Sequence, residues 1–189
     1  MIRIAVVGDI GSGKSYIANL FGYPVFNADL EVAKIYKTNK SCFKRLKKNL
    51  PKYFSVFPAN KIQIIKAIES SEKNLKKITK IIHPEIRKKL SIFLKKNKKR
   101  KAVILDIPLL LENKLNQKRD IIVFVQSKKS EIIKRLKKRD NFNLNLYTQF
   151  KKMQLSPSYK KQKANHIIKN DFTNKLVKIS VKKILKEVI

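Results

Sequence analysis

Apolar residues fall into two kinds of run along this chain. Short, β-branched runs occur at Ile2-Arg3-Ile4-Ala5-Val6-Val7, at Val25-Phe26, at Ala102-Val103-Ile104-Leu105, at Ile121-Ile122-Val123-Phe124-Val125 and at His166-Ile167-Ile168. Runs of this length and composition read as strands of a parallel sheet buried on both faces. Elsewhere the apolar positions recur every three or four residues, as on helices with one buried stripe. Ile17, Leu20 and Phe21 mark one such helix, Leu75, Ile78, Ile81 and Ile82 another, and Ile132, Ile133 and Leu136 a third. The last stripe is built on Leu176, Val177, Ile179, Val181, Ile184 and Leu185. A further helix is expected from Leu144 to Gln154, and Pro84 is expected to open one, with Glu85 in its first turn.

Strands alternating with helices predict an α/β fold, a parallel sheet flanked by helices. The stretch 34–100 holds no good strand and is punctuated by Pro51 and Pro58. It predicts a helical insertion beside the sheet, with room for a second substrate. The sheet-bearing core is then expected over 1–33, 101–139 and 161–189.

The first strand runs into Gly8-Asp9-Ile10-Gly11-Ser12-Gly13-Lys14-Ser15, followed by a helix. This fits G-x-x-x-x-G-K-[ST], the phosphate-cradling P-loop, in the strand–loop–helix setting that the chemistry requires. Glycines at 8, 11 and 13 let the backbone turn its N–H groups inward, Ile10 and Ser12 supplying amides of the same cradle. Lys14 reaches terminal phosphates, and the Ser15 hydroxyl is suited to ligating Mg²⁺. ATP and Mg²⁺ are therefore the expected cofactors.

Other candidates sit where strands end, the place where open α/β sheets bind ligands. Asp29, after the second strand, is suited to activating an acceptor hydroxyl, and equally to capping the next helix. Asp106 ends an apolar strand, a position fit for a metal-side carboxylate or for an ordinary turn residue. Asn170 and Asp171 follow the last strand. Arg135 and Arg139, four apart, read as one helix face, either a phosphate clamp or a solvated basic surface. His83, just before Pro84, reads first as a packing or capping residue.

Charge changes this picture little. The chain has 46 Lys and Arg against 13 Asp and Glu in 189 residues, a net charge of +33. The lysines are spread along the whole length, and with abundant isoleucine and asparagine they suggest an A+T-rich coding bias. Such a surface attracts anionic substrates at long range. No aromatic-interleaved basic motif appears, so specific nucleic-acid recognition is not expected. Cys42 is the single cysteine, which excludes an intrachain disulfide and suits a reducing, cytoplasmic setting. No apolar run reaches the ~18 residues needed to span a bilayer, so no membrane partner is expected.

Several stretches together resemble the dephospho-CoA kinase family: Gly8 to Ser15, Asn27-Ala28-Asp29, Ile82-His83-Pro84-Glu85-Ile86-Arg87, Ile107-Pro108-Leu109-Leu110-Leu111-Glu112, Arg135 to Arg139, and Gln154 through Asn165 to Asn170. They occur in family order over nearly the whole chain. The resemblance implies a P-loop core, a helical CoA-binding domain and a small lid, here over 140–160. It implies transfer of the ATP γ-phosphoryl group to the ribose 3′-hydroxyl of dephospho-CoA; a monomer is expected. Asp29 matches the catalytic carboxylate, with Lys14 and Arg139 serving the transferred phosphoryl group. Lys14 and Ser15 match the phosphate and metal ligands. His83, Arg87, Pro108, Leu109 and Glu112 fall on the acceptor side, and Asn170 near the adenine. Three positions depart from the family pattern: Asn27 and Asn165 replace aspartates, and Asp9 stands where glycine is common. Another small P-loop nucleoside or metabolite kinase, a P-loop nucleic-acid-binding protein and a regulatory ATPase are the rival readings.

Overall fold

The computed structural model describes residues 1–139 and 142–189. They form two compact units, Met1–Asn27 with Lys96–Ile189, and Ala28–Lys95. The first unit holds five parallel strands, β1 (Ile2–Gly8), β2 (Val25–Asn27), β3 (Ala102–Asp106), β4 (Ile121–Gln126) and β5 (His166–Lys169). Their order is β2-β3-β1-β4-β5. β1 pairs with β3 on one side and β4 on the other, Ala5 lying opposite both Leu105 and Ile122. The chain leaves β1 toward β2 and later crosses to β4, so the reversal of strand order falls beside β1. That is the crevice where doubly wound sheets place ligands.

The inner residues of β1, β3 and β4 are buried on both faces, Arg3 of β1 included. Ile4, Val6, Ile104, Val123, Val125 and Ile168 point to one face and pack with Ile17 and Ala18 of α1 (Lys14–Leu20), with Phe21 at its C-terminal cap, and with Val177, Val181 and Ile184 of α9 (Asn174–Val188). Leu176 and Ile179, expected inward, are 54% and 56% exposed. The buried residues 177, 181 and 184 set the phase of the stripe, and 176 and 179 fall outside it. At the opposite end of the sheet, Arg3 Nε lies 2.9 Å from Asp120 Oδ1, and Asp120 also accepts from Gln117 N.

Three further helices of this unit are α6 (Lys129–Lys137), α7 (Leu144–Lys152) and α8 (Pro157–Gln162). The last was not expected. Ser156 caps it by accepting from Tyr159 N, and Pro157 fits its first turn. Asp140 and Asn141, the first two residues of the expected lid, lie outside the described residues.

The second unit comprises α2 (Ala28–Thr38), α3 (Lys40–Asn49), α4 (Lys61–Ser70) and α5 (Glu72–Lys96). Asn39 caps α3 through Cys42 N, and Asn60 with Gln63 forms a capping box on α4. Glu85 of α5 binds Arg45 Nη2 at 2.7 Å and Asn39 Nδ2 at 3.2 Å, fastening α5 to α3. Pro84 does not open a helix; it lies inside α5. Leu75, Ile78, Ile81, Ile82, Ile86 and Leu90 are all buried. That continuous apolar face, with each full burial worth about 1.5–3 kcal/mol, outweighs the roughly 3 kcal/mol cost of an interior proline.

Candidate active site

The loop after β1 has its shape fixed at both ends by glycines. At Gly8, φ is 153° and a Cβ would lie 2.8 Å from the Val125 carbonyl of β4. At Gly13, φ is 91° and a Cβ would meet Asn170 Nδ2 at 2.5 Å. Both positions demand glycine for conformation and for space. Asn170, buried after β5, donates to Ser12 O at 2.8 Å and accepts from Phe172 N at 2.9 Å. Ser127 Oγ, following β4, also donates to Ser12 O. Gly11 sits against Ile132 and Leu136 of α6. The loop is thus braced from the ends of two other strands and from a helix.

Lys14 is buried, and its ammonium donates to Asp9 O at 2.7 Å. Asp106, at the end of β3, lies among Ser15, Lys14 and Asn27. Asn27 is its register partner on β2, and Asn27 Nδ2 donates to Asp106 Oδ2 at 2.6 Å. Burial raises the Asp106 carboxyl above its ordinary range, against the hydrogen bond from Ser15, the Lys14 charge and the Asn27 amide. Hydroxyl and carboxylate oxygens therefore meet a lysine beside the phosphate loop.

Arg135 and Arg139 do not share a helix face. α6 ends at Lys137, and Arg139 lies beyond its cap. The helix closes there because Lys138 and Arg139 N–H groups turn back to Leu136 O. The Arg135 guanidinium lies 4.4 Å from the centre of the Phe172 ring, and Phe172 holds a φ of 65°. Such cation–π packing anchors Arg135 near the residues that brace the loop.

In the segment after β3, Glu112 Oε1 accepts from Leu155 N at 2.9 Å and pairs with Lys160 Nζ at 2.8 Å. Lys160 is 1% exposed. Pro108 O accepts a long hydrogen bond from Gln154 Nε2, and Leu109 is half-buried. As one lysine among many, Lys160 carries no local mark of its burial. The Ser156-Pro157 helix start was the available signal.

In the second unit, Asp29 lies in the first turn of α2, where a carboxylate complements the positive helix end. His83 and Arg87 are one turn apart on α5, with His83 half-buried and Arg87 exposed. Burial, then the Arg87 charge, lower the His83 imidazole from its ordinary value, so it is neutral at pH 7. Among the described residues no group of three or more His, Cys, Asp or Glu side chains gathers as a metal cluster. No helix among them is long and apolar enough to cross a membrane.

A glycine loop and lysine at the reversal of a parallel sheet, with an aspartate on the neighbouring strand, define a P-loop nucleotide-binding protein of the small-kinase type. Comparison with known proteins narrows the class. The dephospho-CoA kinase family model matches residues 2–175, and the chain belongs to that family of kinases. It is 34% identical over 189 residues to the dephospho-CoA kinase of Wolbachia pipientis wMel, covering 96% of this chain and 95% of the relative. Identity to the Rickettsia typhi dephospho-CoA kinase is 32% over 173 residues, covering 89% and 87%. A crystal structure from Thermus thermophilus superposes with a TM-score of 0.80 at 25% identity, covering 100% of this chain and 98% of that one.

Proposed function

We propose that this protein transfers the γ-phosphoryl group of ATP to the ribose 3′-hydroxyl of dephospho-CoA, giving coenzyme A and ADP. The observation that carries this reading is the family match over residues 2–175. The geometry is compatible with it. Phosphoryl transfer asks chiefly for positioning and charge stabilisation, and the groups around the loop supply both.

The amides of Gly8, Ile10, Gly11, Ser12 and Gly13 and the Lys14 ammonium hold the polyphosphate tail. Mg²⁺ fits the oxygen donors beside them. The Ser15 hydroxyl and Asp106 carboxylate are hard ligands, and this ion keeps only one or two carboxylates beside phosphates and water. When bound, it neutralises charge between the phosphates. Asp29 accepts the proton of the attacking hydroxyl. Arg139, with Arg135, offsets charge on the transferring group, and the lid over 140–160 excludes water. His83, Arg87, Pro108, Leu109 and Glu112 belong to the acceptor side, and Asn170 to the adenine end. The enzyme works as a cytoplasmic monomer.

The test is ADP release by the purified protein with ATP and Mg²⁺, with and without dephospho-CoA. Release that depends on dephospho-CoA, and not on nucleosides or nucleoside monophosphates, is expected. Release indifferent to dephospho-CoA overturns the reading.

A further inference from the structure

Two lysines converge on one residue of the phosphate loop. Lys14 Nζ donates to the carbonyl of Asp9 at 2.7 Å. Lys151 Nζ, from the last turn of α7, lies 2.8 Å from Asp9 Oδ1. The pair is shielded, its side chains only 34% and 23% exposed for Lys151 and Asp9. It borders a groove of about 440 Å³ that Ser127, Lys129, Tyr147 and Lys161 also line. Asp9 sets a carboxylate in a loop whose other features all favour anions. A polyphosphate entering that loop meets a like charge at short range, which repels it unless a cation stands against the carboxylate.

We propose that Lys151 is a positioning residue of the phosphate site, cancelling the Asp9 charge so that the loop accepts a nucleoside polyphosphate, and tying α7 to the loop. Lys14 cannot fill this role, because its ammonium is held on the Asp9 carbonyl and is the group expected to turn to the phosphates. The proposal rests on the reading that the loop binds ATP and is independent of which acceptor is phosphorylated.

The experiment is calorimetric titration of ATP with Mg²⁺, without acceptor, into the native protein and the variants K151Q, K151R, D9N and D9N/K151Q. K151Q is expected to bind about tenfold more weakly, K151R as the native protein does, and D9N more tightly. D9N/K151Q is expected to return to within about twofold of the native affinity. Circular dichroism confirms that each variant is folded. Native affinity in K151Q, or a double variant as weak as K151Q alone, overturns the proposal. Native protein that binds ATP yet leaves dephospho-CoA untouched removes the proposed acceptor and leaves this inference standing.

Discussion

Asn27 donates its side-chain amide to the Asp106 carboxylate at 2.6 Å, across paired ends of β2 and β3. An aspartate at 27, as the family pattern has it, puts two carboxylates in that contact. Without a cation they repel; with one they share it. N27D is therefore expected to melt at a lower temperature than the native protein in chelator, and to recover most of the difference on adding Mg²⁺. Its half-activating Mg²⁺ concentration is expected to fall. Melting curves with and without Mg²⁺ check the first expectation and a Mg²⁺ titration of activity the second; equal melting in chelator argues against the contact.

Under the proposed roles, Asp29 and Lys14 separate chemistry from binding. D29N is expected to lower kcat by about 10²- to 10⁴-fold, the usual worth of a general base, with ATP affinity changed less than about twofold. K14A is expected to weaken ATP binding and turnover together. Single-turnover kinetics beside equilibrium binding distinguish the two; full turnover in D29N excludes it as the base.

Removing one partner of a buried ion pair leaves the other charge stranded. E112A strands Lys160, which is 1% exposed, and is expected to cost about 3 kcal/mol. K160M replaces the ammonium by an apolar group of similar length and leaves Glu112 its bond from Leu155 N, so it is expected to cost less. Urea denaturation measures both, and equal costs contradict the argument.

The Glu85 carboxyl titrates below its ordinary range. Burial pulls it upward but is outweighed by the hydrogen bond from Arg45, the charges of Lys88 and Arg45, and the Asn39 amide. The folded protein thus holds this proton less well than the unfolded chain. The resulting stability is present above the unfolded value of about 4.3 and is lost as pH falls through the lower, folded value. Arg45 is 42% exposed on its side chain, so the effect stays within about 1 kcal/mol. Between pH 5 and 3, E85Q is expected to lose less stability than the native protein, measured by urea denaturation at each pH.

The strands and the loop were legible because their signals are local. β1 to β5 are apolar runs, and the glycines at 8, 11 and 13 sit at fixed spacing. Pro84 misled because a local rule, that proline breaks helices, was overridden by an apolar face running from Leu75 to Leu90. Arg139 misled because spacing of four implies one face only while the helix continues. The partnerships of Asn27 with Asp106, Asp9 with Lys151 and Glu112 with Lys160 had no signature in the chain. Each joins residues distant in sequence, and a single lysine among so many carries no mark of its partner.

The brace from Asn170 to Ser12 spans a sequence separation of 158 residues. On the ribosome the glycine turn is thus made well before its support. A nascent chain stopped before β5 carries the complete nucleotide motif yet lacks the strand end that gives it form. A nascent chain of that length holds the glycine turn without one of the contacts that brace it.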